Sequence, residues 1–222
     1  MLQTSIKDLN ELRREAVQEL ENKILQSFVR EFKGTYKQLK NNIIQKVDTP
    51  KVSVCLNNIV PNMEYQKIKK VDNIYIPLRF FVNSKLKPQI KTITENFNTY
   101  LLMPTISKSN YEKINAMEFI KEYNLKGVVV SNLSQIKDFQ GIPMIANYTF
   151  NIANNYSINE LEQLGVQKYT ASPEFEREVI STICGNIPKE VIVYGRTLLM
   201  TTEYCAIGTF KNCPALCEER YI

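Results

Sequence analysis

Residues 127–148 read Gly127-Val-Val-Val-Ser-Asn132-Leu-Ser-Gln-Ile-Lys-Asp-Phe-Gln-Gly-Ile-Pro-Met144-Ile-Ala-Asn-Tyr148. An apolar run of strand length stops at Ser131 and Asn132, both of which are helix-capping types. A segment of helical spacing follows, and a second apolar run begins at Met144. Alternation of strand and helix implies a parallel sheet. The same rhythm continues on both sides, with apolar runs at 52–56, 74–78, 100–103, 168–171 and 191–194. Pro88 and Pro173 stand where first helical turns should begin, and acidic residues follow Pro173 as they should near a helix N-terminus.

Seven such units favour a (β/α) barrel over an open sheet. No eighth apolar run is found, so the expected fold is α/β: an open or incomplete TIM-like barrel of about seven parallel strands. A long amphipathic helix precedes it. Ile6, Leu9, Leu12, Ala16, Leu20, Ile24, Phe28 and Phe32 form one stripe, with Ser5 as N-cap and Gly34 as stop. A second helical stretch is expected from Tyr36 to Lys46, ended by Asp48-Thr49-Pro50. The expected organisation is a helical segment at 1–50, the barrel at 51–197 and a cysteine-rich loop at 198–222.

Composition removes whole classes of chemistry. The 222 residues contain no histidine. Ser-His-Asp and Cys-His nucleophile systems and any imidazole base or zinc ligand are therefore absent. With seven glycines there is neither a GxGxxG fingerprint nor a GxxxxGK phosphate loop. The net charge of +5 is unevenly spread: residues 1–95 hold 17 Lys and Arg against 10 Asp and Glu. Such a half could meet phosphates, although solvated helix faces explain the same charge. No stretch approaches the ~20 apolar residues of a membrane span, and Asp8, Glu11 and Glu15 are unlike a secretory signal. Five cysteines, an odd number, suggest a reducing cytoplasm.

Polar residues just after the strand runs mark where a parallel α/β fold builds its site. Arg79, Asn132 and Asn147 are candidates for substrate binding, and Glu174 and Arg196 for catalysis, with helix capping as the competing role for such residues. For Glu190 a cap or ion pair is expected. Tyr75, Tyr100, Tyr148 and Tyr194 could stack on bases, but each lies in or beside a strand and is expected in the core. Cys55 and Cys184 are expected to be buried small residues. Cys205, Cys213 and Cys217 are spaced C-x7-C-x3-C directly after the last run. Soft thiolates converging from one loop suit an iron–sulfur cluster, and idle reduced thiols are the alternative.

Glu190-x-Ile192-x-x-Gly195, then Cys205 ten residues on and Ile207 beyond it, resembles the signature of the collagenase-like peptidase family U-thirty-two. Leu198, Glu203 and Gly208 depart from that signature, whereas Cys213-Pro-Ala-Leu-Cys217 matches its C-x3-C pair. Asn10-Glu-Leu-Arg-Arg14, Val129-Val-Ser-Asn132, Ala146-Asn-Tyr-Thr149 and Ser172-Pro-Glu174 also resemble family segments, which would make the chain a piece of a longer parent. The resemblance implies a four-iron four-sulfur cluster on Cys205, Cys213 and Cys217, with a fourth ligand beyond Ile222. It implies one of two activities: hydroxylation of a tRNA or rRNA base, or proteolysis of unassigned catalytic type. A non-catalytic RNA-binding or scaffold barrel is the third reading. The rest of the parent chain, tRNA or rRNA are the expected partners, in the cytoplasm and without a membrane.

Overall fold

The computed structural model describes residues 5–31, 33–34, 49–106, 114–196, 198 and 200. The chain divides into two compact units, Met1–Gln38 and Leu39–Ile222. The first contains helix α1, Ile6–Phe28. Ser5 caps it as expected, in a reciprocal pair: its hydroxyl accepts from the Asp8 N–H, and the Asp8 carboxylate accepts from the Ser5 N–H. The helix ends six residues before Gly34. Ser27 Oγ bonds the Ile24 carbonyl and the Val29 N–H bonds Gln26, which tightens the last turn. The helix buries none of its residues. Phe32, the stretch from Tyr36 to Lys46, and Cys205, Cys213 and Cys217 lie outside the described residues.

The second unit is a seven-stranded parallel sheet in strictly sequential order, curled into a half-barrel. Its strands are β1 (Ser53–Cys55), β2 (Asn73–Pro77), β3 (Asn98–Leu102), β4 (Gly127–Val130), β5 (Met144–Ala146), β6 (Val166–Thr170) and β7 (Lys189–Glu190). The helices between them are α2 (Leu78–Val82), α3 (Lys87–Asn96), α4 (Ala116–Glu122), α5 (Leu133–Asp138), α6 (Asn155–Gln163) and α7 (Arg177–Thr182). Strands β2, β4 and β5 are buried at every position, as strands covered on both faces should be. Among the described residues no backbone pairing joins β7 to β1, so the ring stays open, as expected.

Alternate strand residues point to opposite faces. The outward set, including Ile74, Ile76, Leu101, Val128, Val130, Met144 and Ala146, packs with Ile90, Ile93, Ile120, Ile136, Ile158 and Leu161 of the helices. Each such side chain contributes roughly 1.5–3 kcal/mol on burial, so this layer supplies most of the stability. The inward set is smaller: Tyr75, Val129 and Ile145, with Tyr100 and Leu102 against them.

Three local expectations are corrected. The seventh strand is Lys189–Glu190, not the apolar run 191–194, whose residues are exposed. Helix α7 starts at Arg177 rather than at Pro173, because Ser172 closes a turn through the N–H groups of Glu174 and Phe175. Cys55 is exposed and Cys184 half-buried, because β1 is an edge strand and Cys184 lies in the loop after α7.

Tyr169, on the outer face of β6, is buried, and its hydroxyl has no hydrogen-bond partner among the described residues. Removing an unpaired buried hydroxyl should help, so Tyr169→Phe is expected to stabilise the fold by about 1 kcal/mol at pH 7. Burial, and then the nearby Cys184, push this hydroxyl up to about 12 from an ordinary 10. A raised folded-state value means stability is complete below pH 10 and is lost as pH rises towards 12. The variant should lose less over that window. Urea denaturation at pH 7 and pH 11 checks both points, and a variant less stable at pH 7 would show that the hydroxyl is bonded.

Candidate functional site: a carboxylate centre on the inner face

The polar part of the inner face gathers on Glu190. Its Oε1 accepts from Ser53 Oγ at 2.8 Å, Tyr75 OH at 2.6 Å and Lys168 Nζ at 3.1 Å. Its Oε2 has one long contact, Thr170 Oγ1 at 3.4 Å. Four strands thus meet at one carboxylate: β1, β2, β6 and β7. Strand tilt explains how the last residue of β7 reaches the first residue of β1, since closing a sheet staggers its register. Side chains rather than backbone bridge the two edges.

The donors are themselves ordered. Ser53 Oγ accepts from Asn73 Nδ2 at 3.1 Å and lies 3.2 Å from Tyr75 OH. Tyr75 has a single hydroxyl proton, and the shorter contact assigns it to Glu190. Burial, and then the Glu190 charge, hold the Tyr75 hydroxyl far above the usual tyrosine value, so it stays a donor. The same two causes raise Tyr100, whose ring meets Tyr75 edge-on at 5.7 Å. The expected ion pair of Glu190 exists, with Lys168, both side chains about one-fifth exposed. Next to Glu190, Lys189 points the other way. Its Nζ donates to the carbonyls of Ile180 and Ile183 and closes the end of α7, and desolvation lowers its pKa.

None of the five candidates named from the sequence bonds Glu190, and two of them, Asn132 and Asn147, meet in a separate network. Arg79 is exposed, donates to the Asn57 carbonyl at 2.9 Å and covers the Phe80 ring at 4.7 Å. Asn132 caps α5 and reaches the Thr105 carbonyl. Asn147 bonds Ser131 Oγ at 3.1 Å and the Tyr148 N–H, so it and Asn132 belong to one stitched set of strand ends. In that set Gln135 Oε1 accepts from the buried Ser131 N–H at 2.7 Å, and Thr149 Oγ1 bonds the Ser131 carbonyl at 2.7 Å. Glu174 lies exposed on the turn after β6, and Arg196 exposed beyond β7. Near the end of β1, partial desolvation pushes the Cys55 thiol up, while the Arg79 guanidinium opposes the shift. Of the four tyrosines, Tyr75 is buried, Tyr100 and Tyr148 are half-buried, and Tyr194 is 97% exposed.

The chain is similar to a U32 peptidase. The solved structure of the U32 peptidase Mk0906 matches with a TM-score of 0.47 and 12% identity, over 68% of this chain and 69% of that one. No family model matches the chain, and no curated protein does. Among the described residues no helix is long and apolar enough to cross a membrane. No group of three or more His, Cys, Asp or Glu is placed to hold a metal ion among those residues either.

The sequence reading missed Ser53, Asn73, Lys168 and Thr170. The available signal was their parity. Each is a polar residue at an inward position of a strand whose other face is apolar, and Glu190 shares that parity. As chemistry, the centre is a carboxylate locked by three donors at one oxygen and lightly held at the other. Oε2 can accept a hydrogen from a substrate N–H or O–H, with Thr170 beside it.

Proposed function

We propose that the chain is a U32-type half-barrel whose inner face holds substrate at Glu190, and that its parent hydroxylates an RNA base. The observation that supports this reading is the identity of the hub. Glu190 heads the stretch that resembles the family signature, and it is also the residue on which four strands converge. A carboxylate with one oxygen saturated by three donors is built to orient a ligand rather than to shuttle protons. With no histidine in the chain, no imidazole stands at this centre to activate Ser53, whose hydroxyl is taken up by Glu190.

Cys205, Cys213 and Cys217 are the thiolates that would hold an iron–sulfur cluster, and as a donor set three soft sulfurs suit one. That cluster would supply the electron-transfer chemistry, while Lys168 and Tyr75 fix Glu190 and its Oε2, beside Thr170, holds the substrate. The test is an iron and labile-sulfide assay on the parent protein, extended past Ile222 to include the fourth ligand and purified without oxygen, beside its Cys205→Ser, Cys213→Ser, Cys217→Ser variant. Iron and sulfide in near-equal amounts in the first and absent from the second are expected. Zinc, or no metal in either, sinks the hydroxylation reading. Collagenase-like proteolysis is then the reading to pursue, since Glu174 is exposed and carries no ion pair among the described residues. Digestion of gelatin that is abolished by Glu174→Gln would establish it.

A further inference from the structure

Between positions 51 and 95 the chain carries seven lysines and one arginine against Glu64, Asp72 and Glu95, a net of +5 that equals the charge of the whole protein. All seven lysines are exposed. In the fold this stretch is one flank of the half-barrel, where the 3-10 turns Tyr65–Lys67 and Ser84–Leu86 pack on α3. A groove of about 390 Å³ runs between the 61–66 segment and α3. Asn62, Gln66, Gln89 and Asn96 line it with amides and Thr92 and Tyr65 with hydroxyls, and its one carboxylate, Glu64, is paired with Lys67.

The fold itself does little to neutralise this flank. Lys67, Lys87 and Lys91 meet Glu64, Glu122 and Glu95 at 2.6, 3.7 and 3.9 Å, all in exposed pairs that contribute little. Lys51, Lys69, Lys70 and Lys85 make no ion pair among the described residues. Lys85 and Lys87 stand at the N-terminal end of α3, whose first turn has no acidic residue, where the helix dipole disfavours a cation. Lys70 holds a φ of +62°, a conformation that L side chains rarely adopt. Lys51, Lys69, Lys70 and Lys85 gain no ion pair from the described residues and would gain from an external anion.

We propose that this outer flank is a docking surface for the phosphate backbone of a folded RNA. The inference rests on the RNA reading above and names where the molecule is held. Exposed lysines next in sequence to the groove's lining, Lys67 after Gln66 and Lys91 before Thr92, neutralise phosphates, while the amides of the groove can bond ribose hydroxyls, a contact that positions without reading sequence. Base selection is left to the inner face.

The test is fluorescence anisotropy of a labelled tRNA transcript with the full chain, across a salt series. The variant Lys67→Gln, Lys69→Gln, Lys70→Gln, Lys85→Gln is compared with Lys121→Gln, Lys126→Gln, Lys137→Gln, with circular dichroism confirming that both are folded. The first should bind at least about tenfold more weakly at 0.1 M salt, and its salt slope should be shallower by roughly 3. The second should bind like the parent. Equal binding by all three proteins, equal losses in both variants, or no binding by the parent overturns the surface. So does polyglutamate competing as well as RNA, which would make it a face for acidic polypeptides. Iron without RNA docking removes this inference and spares the cluster, whereas docking without iron does the reverse.

Discussion

Glu190→Ala is expected to cost the fold about 3 kcal/mol, because it leaves the Lys168 ammonium and the Tyr75 hydroxyl facing each other in a half-buried space without their acceptor. At this chain length that corresponds to a fall of about 6–12 °C in Tm. Glu190→Gln keeps an acceptor oxygen for Ser53, Tyr75 and Lys168 and loses only the negative charge opposite the Lys168 ammonium, so its cost should be about 1 kcal/mol. Adding Lys168→Met to the alanine variant should recover part of the loss, as removing an orphaned charge does. Urea denaturation of the four proteins measures the coupling. An alanine variant within 0.5 kcal/mol of the parent, roughly the spread seen for neutral surface changes, would mean that the four-strand convergence holds nothing together. Because the centre also binds substrate, Glu190→Gln should lose activity while its Tm falls by only about 2–4 °C.

Gly127→Ala should be at least as damaging, for a different reason. A Cβ at this first residue of β4 would sit 2.2 Å from the Pro143 carbonyl oxygen and 3.0 Å from Pro143 Cβ. That carbonyl cannot retreat freely, since it accepts the Val128 N–H at 2.9 Å and so holds β4 beside β5. The clash has to be relieved by parting two central strands, and the expected cost is about 3 kcal/mol or more. A thermal melt and one-dimensional NMR spectrum would show it. A variant with parental Tm would show that the two strands can move apart without penalty.

What could be read from the chain depended on which face of the sheet a residue serves. The outward positions of β2, β4 and β5 are continuous apolar side chains under helices, so their runs stand out, and the parallel, incomplete barrel follows from their spacing. The edge strand β7 could not be found that way. It needs only the backbone bonds of Tyr169 to Pro188 and Ala171 to Glu190, which any side chains permit, while the more apolar Val191–Tyr194 beside it stays outside the sheet. The carboxylate centre was hidden for a related reason. Ser53 and Glu190 are 137 residues apart, and nothing in either neighbourhood announces a partner until the curl of the sheet is known. Arg79 and Asn147 are legible as strand-end polar residues, but what they bond, the Asn57 carbonyl and the Ser131 hydroxyl, is loop and strand end, which composition does not encode.

The strictly sequential strand order carries a consequence for how the molecule comes into being. Each strand pairs only with those next to it in the chain, so a βα unit leaving the ribosome finds its docking surface already made by the unit before it. Loop closure for each step spans only a few tens of residues, which keeps the entropic barrier of every addition low. The contacts of Ser53 and Tyr75 with Glu190 are the exceptions, and they cannot form until the whole sheet has emerged. That single carboxylate therefore reports completion, separating a nascent stack of half-docked units from a finished inner face.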